Sequence, residues 1–210
     1  MEKMKTHKKE EGAELANYCT EYCRLLEKAD KLPLHELLDQ IAHILMTVYQ
    51  KTFDIPRLQT RYESETQKYL TEKQYNNVQL TLMNLLDKQD EYSEILDPNR
   101  PANHNIFQAS LSEDLTDIYQ DFYDFVKWHS IGTFESVNDS LIECLNNFEK
   151  YWGIKLLNAL RAVHVIRYLK KDATLFRDPL NDEDDDIPAV LDNNEVMDPE
   201  ALDEFLKEGL

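Results

Sequence analysis

The chain has 210 residues, 42% of them apolar and 30% charged, with a formal net charge of −18. That length supports one domain with a core of its own, and the acidity repels a phosphate backbone, so nucleic-acid binding is not expected. Three cysteines make no disulfide framework, four glycines are too few for a hairpin-rich fold, and no apolar run reaches the 18 or so residues of a membrane span.

The charge is uneven. From Asp178 to Leu210 there are 13 acids and one base, Lys207, so that segment carries −12; the other 177 residues carry −6. The first ten residues place no apolar stretch behind their charges, so no secretory signal is expected and the cytoplasm is the expected compartment. The chain divides into a polar stretch over 1–9 expected to be disordered, a helical domain over 10–175, and an acidic tail over 176–210.

Apolar residues at helical spacing predict a first helix from Glu10 to Asp30, with Leu15, Tyr18, Tyr22, Leu25 and Leu26 on one stripe. Cys19 and Cys23 fall on this helix as small apolar groups. Pro33 suits the first turn of a second helix, which runs to Tyr49 through Leu37, Leu38, Ile41, Leu45 and Val48. Pro56 stops it, and a long polar connection follows to residue 70. Thr71 and Gln74 have the spacing of a capping box, so a third helix starts there and extends towards Ile95, before Asp97-Pro98. Residues 98–109 read as a loop. Ser110 or Ser112 caps a fourth helix reaching His129. The last helical stretch, Phe134 to Lys171, carries a stripe from Val137 to Trp152 that resumes out of phase at Leu156, with Gly153 at the join as a candidate kink. In the tail, Asp182 to Asp186 cannot bury apolar surface, while Ala201, Leu202, Phe205 and Leu206 share one face of a short amphipathic segment. Five or six helices with one apolar stripe each predict an all-α antiparallel bundle followed by a disordered acidic tail.

Several chemistries lack their motifs. No glycines are spaced for a phosphate-binding loop or a dinucleotide fingerprint, and there are no paired Cys-x-x-Cys motifs and no Gly-x-Ser-x-Gly elbow. His35, Asp39 and His43 share one row of the second helix, as zinc ligands would, on a row that also reads as a solvated face. On the fourth helix Asp114, Asp117, Asp121 and Asp124 fall on one stripe. With Glu143 or Glu149 from the following helix, Asp114, Asp117 and Asp121 could hold Mg²⁺ or Mn²⁺ against a phosphorylated substrate; the plainer reading is a solvated flank. Trp128 lies on that same side, which points to something covering it. Arg161, His164 and Arg167 near the end of the long helix complement its dipole, and they also form a candidate anion site, with the run Asp182 to Asp186 as an intrachain ligand.

Thr71-Glu72 with Tyr75 and Val78, Asp90-Glu91-Tyr92, Ile95-Leu96-Asp97-Pro98, the stretch Ser110-Leu-Ser-Glu-Asp-Leu-Thr-Asp-Ile-Tyr-Gln-Asp121, Trp152-Gly153 and Ala159-Leu-Arg-Ala162 together resemble a bacterial family, domain of unknown function 5063, over residues 10 to 170. The resemblance implies a helical fold and brings no activity, substrate or cofactor. It directs attention to Asp114, Asp117, Asp121, Trp152 and Arg161. The expected function is that of a non-catalytic protein-interaction or adaptor protein, with a protein partner, a second copy being one candidate, and neither membrane nor nucleic acid. The alternative is a Mg²⁺- or Mn²⁺-dependent hydrolase of a phosphorylated small molecule built on the Asp stripe.

Overall fold

The computed structural model describes residues 2–56, 61–62, 67–95 and 106–169. The acidic tail and its terminal amphipathic segment lie outside the described residues. The first helix, α1, spans Glu2–Leu26, starting ahead of the expected Glu10, and a short 3₁₀ turn at Ala29–Lys31 leads to α2, Leu34–Asp54. After the connection, α3 spans Glu72–Leu86, α4 Leu111–Ile131, α5 Phe134–Asn147 and α6 Gly153–His164. These helices form an antiparallel bundle, as the apolar stripes predict.

The caps follow the local sequence. The Thr71 hydroxyl accepts the Gln74 N–H at 3.3 Å while the Gln74 side chain accepts the Thr71 N–H at 3.2 Å, closing the capping box. At α4 the capping residue is Ser110, whose Oγ accepts the Glu113 N–H at 3.2 Å. Asp90 reinforces this start: its carboxylate accepts the Ser112 N–H at 2.6 Å and the hydroxyls of Ser110 and Ser112, where negative charge complements the helix dipole.

Two expectations change. The third helix does not run on to Ile95. It stops at Leu86, Asp87 turns the chain at φ 48°, and residues Glu91–Ile95 form a strand, β1, paired antiparallel with β2, Ile106–Ser110. Tyr92, Ile95, Ile106 and Phe107 are β-prone residues that a helical count absorbs without conflict. The expected loop over 98–109 therefore includes strand β2 from Ile106 onwards.

The long last helix is not uniform. Phe148–Trp152 form a π-helical turn in which the Gly153 N–H bonds the Phe148 carbonyl, and a second π turn spans Val165–Leu169. A π turn inserts one residue, shifting the phase of everything after it by about 100°. This accounts for the stripe that resumes out of register at Leu156. Gly153 is required by close approach: a Cβ there would stand 2.4 Å from the Phe148 carbonyl oxygen.

Helix α4 is the centre of the bundle, touching α1, α3, α5 and α6. Phe122 from α4 meets Tyr22 of α1 edge-on at 5.3 Å and Trp152 at 5.0 Å. Trp152 is fully buried and donates its indole N–H to the Cys144 carbonyl at 3.0 Å. Cys19 and Cys23 are buried in this core, and burial pushes both thiols up from their ordinary range.

Candidate functional site

Because α4 is surrounded, its acidic stripe is not a solvated flank. Asp114 and Asp124 are 3% and 5% exposed. The stripe forms a polar seam against the antiparallel α5–α6 segment. The Lys155 ammonium lies 2.6 Å from Asp114 Oδ1 and 3.0 Å from Asp117 Oδ2. One turn along, Tyr151 donates its hydroxyl to Asp117 Oδ2 at 2.7 Å; a turn further, Asn147 donates to Asp121 Oδ1 at 2.6 Å. Residues 155, 151 and 147 descend as 114, 117 and 121 ascend, so the partners meet in antiparallel register. From the other side, Tyr75 of α3 donates to Asp117 Oδ1 at 2.6 Å and Tyr92 of β1 to Asp114 Oδ2.

The electrostatics follow this arrangement. Burial lowers the Lys155 pKa, but the hydrogen bonds and charges of Asp114 and Asp117 outweigh it and hold the ammonium above the ordinary lysine range. Burial, then the hydrogen bond to Asp117, pushes the Tyr151 hydroxyl up to about 12 and raises Tyr75 as well. These hydroxyls act as donors, not as bases. Burial also raises Asp121, against the opposing hydrogen bond from Asn147.

Beyond Asp121 the seam holds down the connection between α2 and α3. Asp124 Oδ1 accepts the N–H groups of Tyr69 at 2.7 Å and Leu70 at 3.1 Å, and Asp139 of α5 accepts the Tyr62 N–H at 2.8 Å. Trp128 donates its indole N–H to the Gln67 carbonyl at 3.0 Å and packs edge-on against Tyr69 at 5.3 Å. The polar connection is what covers this tryptophan. Lys68 reaches over to Glu143 at 3.0 Å and Asp124 Oδ2 at 3.6 Å. A cavity of about 20 Å³ remains between Lys68, Asp121, Asp124, Trp128, Ser140 and Asn147, the size of one water molecule.

Asp114 and Asp117 thus share an ammonium, and Asp121 takes an amide. Among the described residues no group of three or more His, Cys, Asp or Glu is placed to hold a metal ion. The second candidate group does not converge. Arg161 donates to the Ser93 carbonyl of β1. The Arg167 Nη2 donates to Asp39 Oδ2 at 2.6 Å, tying the end of the long helix to α2 and occupying the middle member of the His35–Asp39–His43 row. The His164 ring lies 4.8 Å from that of Tyr168. The Asp182–Asp186 partner expected for these residues lies outside the described residues.

Sequence reasoning passed over an apolar groove between α2 and the α5–α6 segment. Its volume is about 700 Å³, with Tyr49, Ile55, Ile142, Leu145 and Phe148 among its lining. Phe53, Ile154 and Leu157 stand on its rim, 73%, 52% and 43% exposed. Met46, exposed on the same face of α2 as Tyr49 and Phe53, extends the patch. The signal was present: Met46, Tyr49 and Phe53 are a second apolar row on α2, and Ile154 and Leu157 one on α6, each outside the stripe that fills the core.

The model of the family described as Domain of unknown function (DUF5063) matches residues 6–169. Among solved structures, the chain is similar to the crystal structure of protein BF1032 from Bacteroides fragilis, 31% identical, with a TM-score of 0.66 over 75% of this chain and 92% of that one. No curated protein matches. The family match covers every helix that builds the seam and the groove, and the chain belongs to the DUF5063 family.

Proposed function

We propose that this is a non-catalytic protein-interaction protein whose working surface is the groove between α2 and α5–α6. The observation carrying this reading is the rim: Phe53, Ile154 and Leu157 expose large apolar side chains around one concavity. Contiguous apolar surface of this kind on a charged protein marks a place where another surface is buried. The groove holds one charged residue, Glu149, among twelve lining residues, the charge depletion typical of an interface centre. The chemistry-bearing residues elsewhere support the reading. The Asp stripe, which under the hydrolase alternative binds Mg²⁺ or Mn²⁺, spends its carboxylates on Lys155, three tyrosines and Asn147.

The test is a photo-crosslinking amino acid at Leu157, with a control at exposed Lys73 on α3, irradiated in cells. A discrete adduct from position 157, absent from position 73 and lost when Phe53→Glu is added, is the expected result. No adduct, or the same adducts from both positions, overturns the reading.

A further inference from the structure

We infer that the groove is covered by a second copy of this chain, in a two-fold symmetric dimer that seats Phe53 of each subunit in the hollow of the other. This rests on the groove's being an interaction surface and adds the identity of the partner. Three observations carry it.

The patch is self-complementary in shape. It combines a hollow, floored by Tyr49, Leu145 and Phe148, with a projecting knob on its own rim, Phe53. A two-fold axis beside such a pair places each knob over the partner's hollow and satisfies both at once. A partner of unrelated surface would have to supply both the knob for the hollow and a separate socket for Phe53.

The second observation is charge. Both copies are acidic, the 177 residues before Asp178 alone carrying −6, so like charge opposes their approach. They approach at least cost where charge is sparse, and the groove is such a face, with Glu149 its one charged lining residue. A basic partner, the natural complement of so acidic a chain, finds almost no electrostatic hold there.

The third is area. Phe53, Met46, Ile154 and Leu157 are each about half exposed or more, and the half-buried Tyr49, Ile142, Leu145 and Phe148 lie between them. A standard stable interface takes about 800 Å² from each subunit, and these eight side chains with the polar rim of α2 and α5–α6 are the surface that would supply it. Its apolar centre matches symmetric dimers better than transient heteromeric contacts.

The experiment is sedimentation equilibrium of the full chain between about 1 and 200 µM, spanning the micromolar affinities common for interfaces of this size. It is run at about 50 mM and about 500 mM NaCl, where the Debye length falls from over 10 Å to about 4 Å. The wild type is expected to reach twice the 24.8 kDa chain mass, and to dimerise more tightly at high salt, because screening removes repulsion between like-charged copies. Phe53→Glu and Leu157→Glu should each raise the dissociation constant at least about 30-fold, the effect of losing one interface hot spot. Phe53 is the most exposed of the rim residues, so its substitution leaves the fold intact, checked by an unchanged thermal melt. A wild type that stays at 24.8 kDa throughout overturns the dimer, and so does a dimer that both substitutions leave untouched. The crosslinking at Leu157 separates the two readings. An adduct at twice the chain mass supports the dimer, whereas a discrete adduct of another mass sinks the dimer and leaves the interaction surface standing.

Discussion

Replacing Lys155 with Met tests whether the seam between α4 and α6 is a buried charge network or a surface decoration. The substitution keeps the aliphatic stem and deletes the ammonium that lies 2.6 Å from Asp114 and 3.0 Å from Asp117. The side chains of Asp114, Asp117 and Lys155 are 5%, 13% and 20% exposed. Removing one partner from a buried pair leaves an uncompensated charge and typically costs 3–5 kcal/mol. Here the lower edge applies, about 3 kcal/mol, because water reaches Lys155 and the carboxylates keep the hydroxyls of Tyr75, Tyr92 and Tyr151. For a domain of this size that is a fall of roughly 6–12 °C in melting temperature. The pH dependence has a definite sign. Lys155 is held above the ordinary lysine range, so its contribution is fully present below about pH 10.4 and is lost only as the pH rises through its higher folded value. The gap between wild type and Lys155→Met is therefore flat from about pH 6 to 10 and closes only above that. Adding Asp114→Asn to Lys155→Met recovers part of the loss, since one unpaired carboxylate is gone. The assay is urea unfolding followed by helical circular dichroism. A loss under about 1 kcal/mol at pH 7, the behaviour of an exposed ion pair, would refute the reasoning.

Further outcomes follow from the same geometry. Asp124→Ala should speed hydrogen exchange at the amides of Tyr69 and Leu70, which its Oδ1 accepts, and lower stability by about 2–3 kcal/mol, since hydrogen bonds to a charged group are involved; unchanged exchange at both amides would show that Asp124 does not hold the connection. Asp121→Asn should stabilise the protein at pH 7 by about 0.5–1 kcal/mol, the usual size of one stabilising substitution. Burial raises the Asp121 pKa, so its ionised form is a penalty that grows as the pH rises through the folded value and is absent below about pH 4; a gain that persists at pH 3 would contradict this origin. Gly153→Ala should cost about 1–3 kcal/mol, because its Cβ meets the Phe148 carbonyl and ring and the core there is closely packed, read as a shift in urea midpoint. Millimolar Mg²⁺ or Mn²⁺ should leave the melting temperature of the wild type unchanged, since a bound ion would have to expel Lys155; a rise that Asp117→Asn abolishes would restore the metal reading.

Helix positions, both caps and the bundle were legible in the sequence because they are written in short-range spacing. The Thr71–Gln74 box needs only three residues, and the stripes of α1 and α2 need only the helical period. The hairpin was not legible, since Asp87 at φ 48° ends α3 without a glycine to announce it. The acidic stripe is legible in the sequence; its environment is not. One apolar stripe per helix implies one buried face, and α4 buries almost its whole circumference, including Ser112, Asp114, Thr116 and Asp124. Polar residues there are satisfied by tyrosines and by backbone N–H groups from residues distant in sequence, which no local pattern encodes. Trp128 was the clue that pointed the right way.

The two π turns connect the seam with the groove. A strictly α-helical run from Phe134 to Leu169 would drift in phase against α4, and a row that begins with Asn147 and Tyr151 on the Asp stripe would have to leave either Trp152 or Leu156 out of the core. The inserted residue at Phe148–Trp152 lets Trp152 and Leu156 both be buried while Asn147, Tyr151 and Lys155 stay on the acids. The same turn brings Phe148 onto the floor of the groove, at 5.2 Å from Tyr49 of α2, and makes Gly153 part of its wall. π turns are often retained where they serve a site. Here one turn sets both the polar register inside the bundle and the apolar concavity on its surface. A substitution that restores the α-helical period should thus disturb the groove and the seam together, although no seam residue lines the groove except through this helix.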